Sequence, residues 1–112
     1  MHEFSIAQNI IDIALNALRE NGLEHIESVE VEIGEAAGVV IEALDFAWDS
    51  VTMDTPLQGT KLIVKSIPVE VICRSCKTHY MPKDIYDFCP HCGDMNPEII
   101  RGKDLRVSAI IA

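Results

Sequence analysis

The fold of this chain is decided by residues 73–92, CRSCKTHYMPKDIYDFCPHC, in which two Cys-x-x-Cys pairs enclose twelve residues. Each pair forms a tight knuckle, and the residues between the pairs can run out and back as a ribbon. Four thiolates then meet in a tetrahedron, the soft four-coordinate environment that Zn²⁺ prefers. We therefore predict a zinc site whose ligands are Cys73, Cys76, Cys89 and Cys92.

Three other uses of four cysteines stay open. Two disulfides would need an oxidising compartment, a thioredoxin-like redox pair would need a strand-to-helix setting that the pattern lacks, and an iron–sulfur cluster uses the same four ligands. Because four cysteines close the coordination sphere, we expect the zinc to be structural. The segment is too short for a core of its own, so its folding energy would come from the metal. His79 and His91 are expected to be solvated or to support the ligands.

The first helix is predicted close to the N-terminus. Ser5 and Gln8 resemble a capping box, and the Asn21-Gly22 pair supplies a stop signal. A helix that begins near Ser5 leaves Met1–Phe4 projecting, with the terminal amine free but held at a defined end. The apolar stripe between these signals has three- and four-residue spacing: Ile6, Ile10, Ile13, Ala14, Ala17 and Leu18.

The rest of the chain alternates between strand and helix periodicity. The pattern predicts, in order, a strand over 28–34, a helix over 39–51, an extended segment over 61–72 and a strand over 105–111. Trp48 is expected in the core, and Pro68 interrupts the extended segment. We expect an α+β fold in which two helices pack on a three-stranded sheet, with a zinc-ribbon-like subdomain inserted between the last two strands. The α/β domain would comprise 1–70 and 99–112, and the zinc-binding subdomain 71–98.

Composition excludes several classes of function. Eighteen acidic and nine basic residues in 112 give a net charge of −9, which repels phosphate backbones and disfavours nucleic-acid binding. No apolar run approaches the roughly 20 residues that span a bilayer, and no signal-like region is present. We expect a cytoplasmic protein without membrane contact, whose acidic surface suits a basic protein partner. No nucleophile–base pair or Gly-rich phosphate loop is visible, so we do not expect an enzyme.

The first three residues, Met1, His2 and Glu3, form a second candidate metal site. A free α-amine, the His2 amide nitrogen and the His2 imidazole can close two fused chelate rings on one ion. Nitrogen donors in a square plane suit Ni(II) or Cu(II). The motif alone is weak evidence, because a frayed terminus with a solvated histidine has the same sequence.

Taken together, the initial Met-His-Glu, the two-helix α/β body and the late Cys-x-x-Cys…Cys-Pro-x-Cys resemble the HypA/HybF family over essentially the whole chain. The resemblance implies a nickel metallochaperone for maturation of NiFe hydrogenase, and in some bacteria of urease. It implies Ni²⁺ as transported cargo on Met1, His2 and Glu3, and structural Zn²⁺ on the four cysteines. It also implies a nickel-binding maturation GTPase and the hydrogenase large subunit as partners. The oligomeric state, monomer or homodimer, stays open, as does any further nickel ligand, for which Glu35 and Glu42 are candidates.

Two other functions share some of these features. A zinc-ribbon interaction adaptor without metal transfer would bind zinc but no nickel, and would be indifferent to a blocked N-terminus. A zinc enzyme would need an exchangeable ligand among His79, His91 and the cysteines.

Overall fold

The computed structural model describes residues 2–82 and 87–112, without the side chain of His2. Met1, one of the predicted nickel ligands, therefore lies outside the described residues. The predicted α+β fold, with two helices and small sheets, is confirmed. The elements are α1 (His2–Glu20), β1 (Ser28–Gly34), a short 3-10 helix (Glu35–Ala37), α2 (Ile41–Thr52), β2 (Lys61–Ile67), β3 (Glu70–Cys73), β4 (His79–Tyr80), β5 (Pro97–Arg101) and β6 (Leu105–Ile111).

Helix α1 begins earlier than the sequence predicted. It starts at His2, so Ser5 lies inside the helix and the Gln8 side chain bonds forward along it instead of back to a cap. A tertiary contact explains the earlier start of the helix. The buried Glu3 carboxylate accepts a hydrogen bond from the backbone N–H of Val40. A carboxylate in the first turn also favours the helix through the macrodipole. We expected Met1–Phe4 to project from the helix. That expectation is wrong for His2, Glu3 and Phe4, which belong to α1.

The end of α1 agrees with the prediction. The backbone N–H of Leu23 donates to Leu18 O at 2.9 Å, and that of Gly22 donates to Arg19 O at 3.3 Å. This pair of bonds is a Schellman motif, which requires a left-handed residue just past the end of the helix. Gly22 provides it with φ of +63°.

The residues group into two compact units, the first comprising Met1–Glu32, Val39–Lys65 and Arg106–Ala112, and the second Ile33–Gly38 and Ser66–Leu105. The second unit thus extends beyond the predicted insertion 71–98 on both sides. The reason is that β5 and the Gly34–Gly102 crossing described below tie flanking segments to it. The division by function, with nickel in one part and zinc in the other, stays a prediction.

The core of the first unit is formed by both helices and β1. Trp48 is buried as predicted, and its indole N–H donates to Thr60 O at 2.9 Å. Ile13, which the predicted stripe included, is exposed, and its neighbour Ile11 is buried instead. The other buried apolar residues of these three elements within this unit are Ala7, Ile10, Ala14, Val29, Val31, Leu44 and Ala47.

The main sheet has the order β2-β1-β6. Glu27 N donates to Ile111 O and Gly34 N to Asp104 O, both at 2.8 Å, so β6 runs antiparallel to β1. Lys61 N donates to Glu27 O at 3.0 Å, which places the start of β2 beside the start of β1. The inserted segment therefore joins the two edge strands. The last two strands of the main sheet are therefore not hydrogen-bonded neighbours, because β1 lies between them.

The less buried face of β1 carries Glu30 and Glu32, and their charges are paired across the sheet. Lys65 Nζ lies 2.8 Å from Glu30 Oε1, and Arg106 Nε lies 2.8 Å from Glu32 Oε1. Exposed ion pairs of this kind contribute little to stability, about 0–1 kcal/mol each. They do neutralise the carboxylates of this strand.

The second sheet has the order β4-β3-β5 and lies in the second unit. Both neighbours run antiparallel to β3, with Val71 opposite Tyr80 on one side and Ile99 on the other. The predicted extended segment 61–72 is thus two strands in different sheets, divided at Pro68, which cannot donate to a ladder. Among the described residues, no helix is both long and apolar enough to cross a membrane.

Gly34 and Gly102 cross so closely that neither can carry a side chain. A Cβ added to Gly34 would lie 2.1 Å from the carbonyl carbon of Gly102, and one added to Gly102 would lie 2.6 Å from Pro68 O. Gly34 has an ordinary φ of −68°, so the close approach alone requires glycine there.

We expect Gly34→Ala to lower the free energy of unfolding by about 3 kcal/mol, because the new methyl group meets rigid backbone. Gly38→Ala is the matched control, since Gly38 has φ of +75° but nothing within 4 Å of the added Cβ. It should cost about 1 kcal/mol for the left-handed conformation. Urea unfolding of both variants measures the difference. Equal losses of unfolding free energy in the two variants would mean that the backbone at the Gly34–Gly102 crossing can shift to make room for the methyl group.

Candidate metal centres

The four predicted zinc ligands converge in the second unit. Their Sγ atoms all lie within 4.8 Å of one another, and the Cys73–Cys92 and Cys76–Cys89 pairs are each 3.6 Å apart. A tetrahedron with Zn–S bonds of about 2.3 Å has edges of about 3.8 Å. All four thiols are free of disulfides. The donor set therefore fits a metal held by four thiolates.

The local backbone of the first knuckle positions its two cysteines. Cys73 N donates to Thr78 O at 2.9 Å, and Lys77 N donates back to Cys73 O at 2.7 Å. Lys77 has φ of +65°, a conformation that is strained for a residue with a side chain. This turn carries Cys76 back toward Cys73.

The second knuckle repeats the first, sixteen residues later. Cys89 N donates to Asp94 O at 2.8 Å, and Gly93 N donates to Cys89 O at 2.9 Å. Gly93 takes the left-handed position with φ of +76°, where the first knuckle has Lys77. Two copies of one turn thus face each other with two thiols each. The repeated spacing of the cysteines is the sequence signal of this geometry.

Hydroxyl groups support the cluster from outside. The Thr78 hydroxyl lies 3.1 Å from Cys76 Sγ, and its hydrogen bond lowers the pKa of the Cys76 thiol to about 6, which favours the thiolate that a metal needs. The Ser75 hydroxyl donates to the Asp94 carboxylate, joining the two knuckles and lowering the pKa of Asp94. Sequence analysis missed both contacts, because nothing in the pattern distinguishes Thr78, Ser75 or Asp94 from other polar loop residues.

Tyr80, on β4, lies close to the cysteines of this site. Its hydroxyl is buried and has no hydrogen-bond partner among the described residues. Burial, and then the negative charge of Cys89 and Cys73, raise the pKa of Tyr80 above its ordinary value. The phenol therefore stays neutral.

The two histidines beside the cluster make other contacts. His79 Nδ1 lies 3.2 Å from Glu70 Oε2, and the backbone N–H of His91 donates to Cys89 Sγ at 3.4 Å. Within the described residues, the one group that could hold a metal ion consists of the four cysteines alone. The identity of the metal as zinc stays a prediction, as does a supporting role for the histidines.

The N-terminal residues are placed differently from the cysteines. Of the three predicted nickel ligands, Met1 lies outside the described residues, and His2 is described by its backbone alone, as the first residue of α1. Glu3 is 7 % exposed, and its Oε2 accepts a hydrogen bond from Val40 N at 3.3 Å. Val40 is the N-cap residue of α2, and its own side chain makes no capping bond. Because the Glu3 carboxylate is bonded to Val40 N, it lies near the positive end of that helix.

Sequence analysis missed the Glu3–Val40 contact, because the two residues are 37 positions apart. Glu35, in the 3-10 helix, and Glu42, in the first turn of α2, are both exposed. Neither belongs to a metal-ligand cluster among the described residues.

The fold and the cysteine cluster define a small α+β protein with a four-cysteine metal site on a ribbon-like unit. A family profile described as "Hydrogenase/urease nickel incorporation, metallochaperone, hypA" matches residues 1–112. The chain belongs to the HypA family, which confirms the resemblance seen in the sequence.

Similar proteins agree with this assignment over nearly their full length. The chain is 42 % identical to a hydrogenase maturation factor HypA of Chloroflexus aggregans, covering 98 % of this chain and 97 % of that protein. It is 36 % identical to a HypA of Parabacteroides distasonis, covering 99 % and 96 %. The solution structure of the Ni metallochaperone HypA from Helicobacter pylori has a TM-score of 0.68 at 22 % identity, covering 97 % of this chain and 95 % of that one. The solution structure of a HypA protein has a TM-score of 0.75 at 24 % identity, covering 99 % of this chain and 95 % of that one. These structures show the shared fold.

Proposed function

We propose that this protein binds Ni(II) at its N-terminal residues Met1, His2 and Glu3, with the Glu3 side chain holding the first turn in place, and delivers the ion during maturation of NiFe hydrogenase, with urease as a second client. The observation that carries the proposal is the start of α1 at His2, anchored by the Glu3–Val40 hydrogen bond. His2 and Glu3, two of the three residues at the proposed site, therefore lie in the first turn of a helix. Nickel titration of tag-free protein, with zinc content measured in parallel, tests the proposal.

The first turn of a helix suits nitrogen coordination. The first four N–H groups of an α-helix have no acceptor within the helix, so a deprotonated His2 amide can bind nickel without loss of a helical hydrogen bond. The Met1 amine and the His2 imidazole would complete the chelate. Because the imidazole must be neutral and the amide deprotonated, nickel affinity should fall as pH falls.

Release needs no unfolding of the core. The first turn lies at the end of the helix and is held by the Glu3–Val40 hydrogen bond, so we expect it to open at a lower cost than the elements of the core. Copper binds such nitrogens more tightly than nickel in the general order of divalent metals. Selectivity for nickel would therefore rest on supply and on docking to partners, for which we propose a maturation GTPase and the hydrogenase large subunit.

The second metal has a different role in this proposal. Cys73, Cys76, Cys89 and Cys92 fit Zn²⁺ by donor type and spacing, and bound zinc would supply folding energy to a ribbon with little core of its own. With four thiolates the site is closed, and no ligand position remains for chemistry on a substrate. We therefore propose a non-catalytic chaperone that works in the cytoplasm.

The role of the Glu3 side chain can be separated from that of a ligand. We expect Glu3→Ala to lose about 1 kcal/mol of stability and to weaken nickel binding about tenfold by releasing the first turn. Glu3→Gln should restore both, because its amide oxygen can still accept from Val40 N. Isothermal titration with nickel and thermal unfolding measure the two effects. If Gln binds nickel as poorly as Ala, the carboxylate is itself a ligand.

A further inference from the structure

Helix α2 presents two opposite faces. Its buried residues are Leu44, Ala47, Trp48 and Thr52. At 3.6 residues per turn, the residues on the far side fall within an arc of about 100°, and Met53 continues that side just past the helix end. We call this surface the α2 outer face; it comprises Glu42, Asp45, Phe46, Asp49 and Met53, all exposed.

The apolar part of the α2 outer face is unusually open. Phe46 is 72 % exposed and Met53 is 61 % exposed. They are seven positions apart, so they lie two turns apart along one side of the helix. Phenylalanine is usually buried in folded proteins, and aromatic residues with methionine are enriched in protein interfaces.

The acidic part of this face carries uncompensated charge. Residues 41–60 contain no Lys, Arg or His. In the part of the chain that the structure describes, Glu42, Asp45 and Asp49 form no ion pair within 4.0 Å, unlike Glu30 and Glu32 of β1. Three carboxylates thus surround two exposed apolar side chains on one helix.

A groove runs beside the same face. It has a volume of about 390 Å³ and is lined by Asp45, Trp48 and Asp49 on one side and by residues 59–62 on the other. Lys61 belongs to the far wall, so the groove has two carboxylates against one ammonium group. A long cationic side chain fits this space, with its stem against the wall and its charge between Asp45 and Asp49.

We propose that the α2 outer face docks a basic amphipathic helix of a partner protein. Its apolar side chains pack on Phe46 and Met53, and its Lys and Arg side chains meet the three carboxylates, one of them in the groove. A second copy of this chain would bring like charges together, and a phosphate backbone or an anionic membrane would be repelled. The surface does not depend on nickel, so this inference stands apart from the proposed function.

The probe is a fluorescent amphipathic peptide of Leu and Lys, about 18 residues long so that it can form a helix. A peptide with the same apolar pattern and Glu in place of Lys is its control. Fluorescence anisotropy with the zinc-loaded protein should show binding of the Lys peptide alone. Phe46→Ser should weaken binding about tenfold, and the Asp45→Asn/Asp49→Asn variant should weaken it similarly while reducing its salt dependence.

Two matched variants locate the effect. Glu20→Gln/Glu24→Gln removes the same charge from exposed positions elsewhere, and Ile13→Ser removes an apolar side chain that is exposed on α1. Both should bind the Lys peptide within about twofold of the parent, since their positions lie outside α2 and outside the groove lining. Equal weakening in all variants would mean that diffuse surface charge attracts the peptide, and this result would overturn the proposal. So would absence of binding, or amide chemical-shift changes confined to residues outside 42–53 and 59–62.

Discussion

A protein in which Cys76 is replaced by alanine is expected to lose its single Zn²⁺ and the structure of residues 73–92, while the first unit stays folded. Three thiolates leave the tetrahedron open, and the ribbon has few buried side chains to hold it without metal. Structural zinc contributes about 10 kcal/mol or more to such small segments. Cys76 itself is only half-buried, so the lost packing of one sulfur cannot produce an effect of that size.

Elemental analysis and amide hydrogen exchange measure the two parts of this result. Zinc should fall from one ion per chain to none, and protection should vanish in 73–92 while it persists in α1 and α2. Ser75→Ala is the matched control, because it removes the bond to Asp94 between the knuckles without removing a thiol. It should keep its zinc. Iron in the purified parent, or a full complement of zinc in Cys76→Ala, would contradict the structural zinc site.

Local spacing made the cysteine cluster predictable. Each Cys-x-x-Cys pair forms its knuckle from contiguous residues, with Cys73 N bonded to Thr78 O and Cys89 N to Asp94 O. The metal-binding geometry therefore depends on little that is distant in sequence. Trp48 was predictable for a related reason, because its burial follows from the period of one helix.

Long-range contacts set the features that the sequence did not predict. The start of α1 depends on Glu3 and Val40, which no periodicity connects. Strand β5 was missed because most of it is exposed, so it shows no clean alternation, and it exists through pairing with β3. Ile11 and Ile13 differ in burial although both fit an apolar stripe, because packing of α1 on α2 decides which of them faces the core. Helix and strand propensities and the hydrophobic periodicity of the sequence do not contain this information.

Nickel binding at the predicted N-terminal site depends most strongly on one residue, His2. His2→Ala should weaken nickel binding by about a hundredfold or more, because the imidazole closes one of the two chelate rings. One extra Gly before Met1 should have the same effect, since the amine becomes an amide and His2 moves along the chain.

Nickel titration of tag-free, Gly-extended and His2→Ala proteins under identical conditions decides between the chaperone and the adaptor. Zinc content and thermal stability should barely change in either variant, because the four cysteines are remote in sequence and the Glu3–Val40 bond that holds the first turn is retained. A stability loss with weakened nickel binding would indicate a frayed helix instead of a lost ligand, so unfolding is followed in the same samples. If all three proteins bind one nickel ion with similar affinity, the metal does not use the N-terminus. Zinc content that is the same in all three proteins would then favour an interaction adaptor without metal transfer.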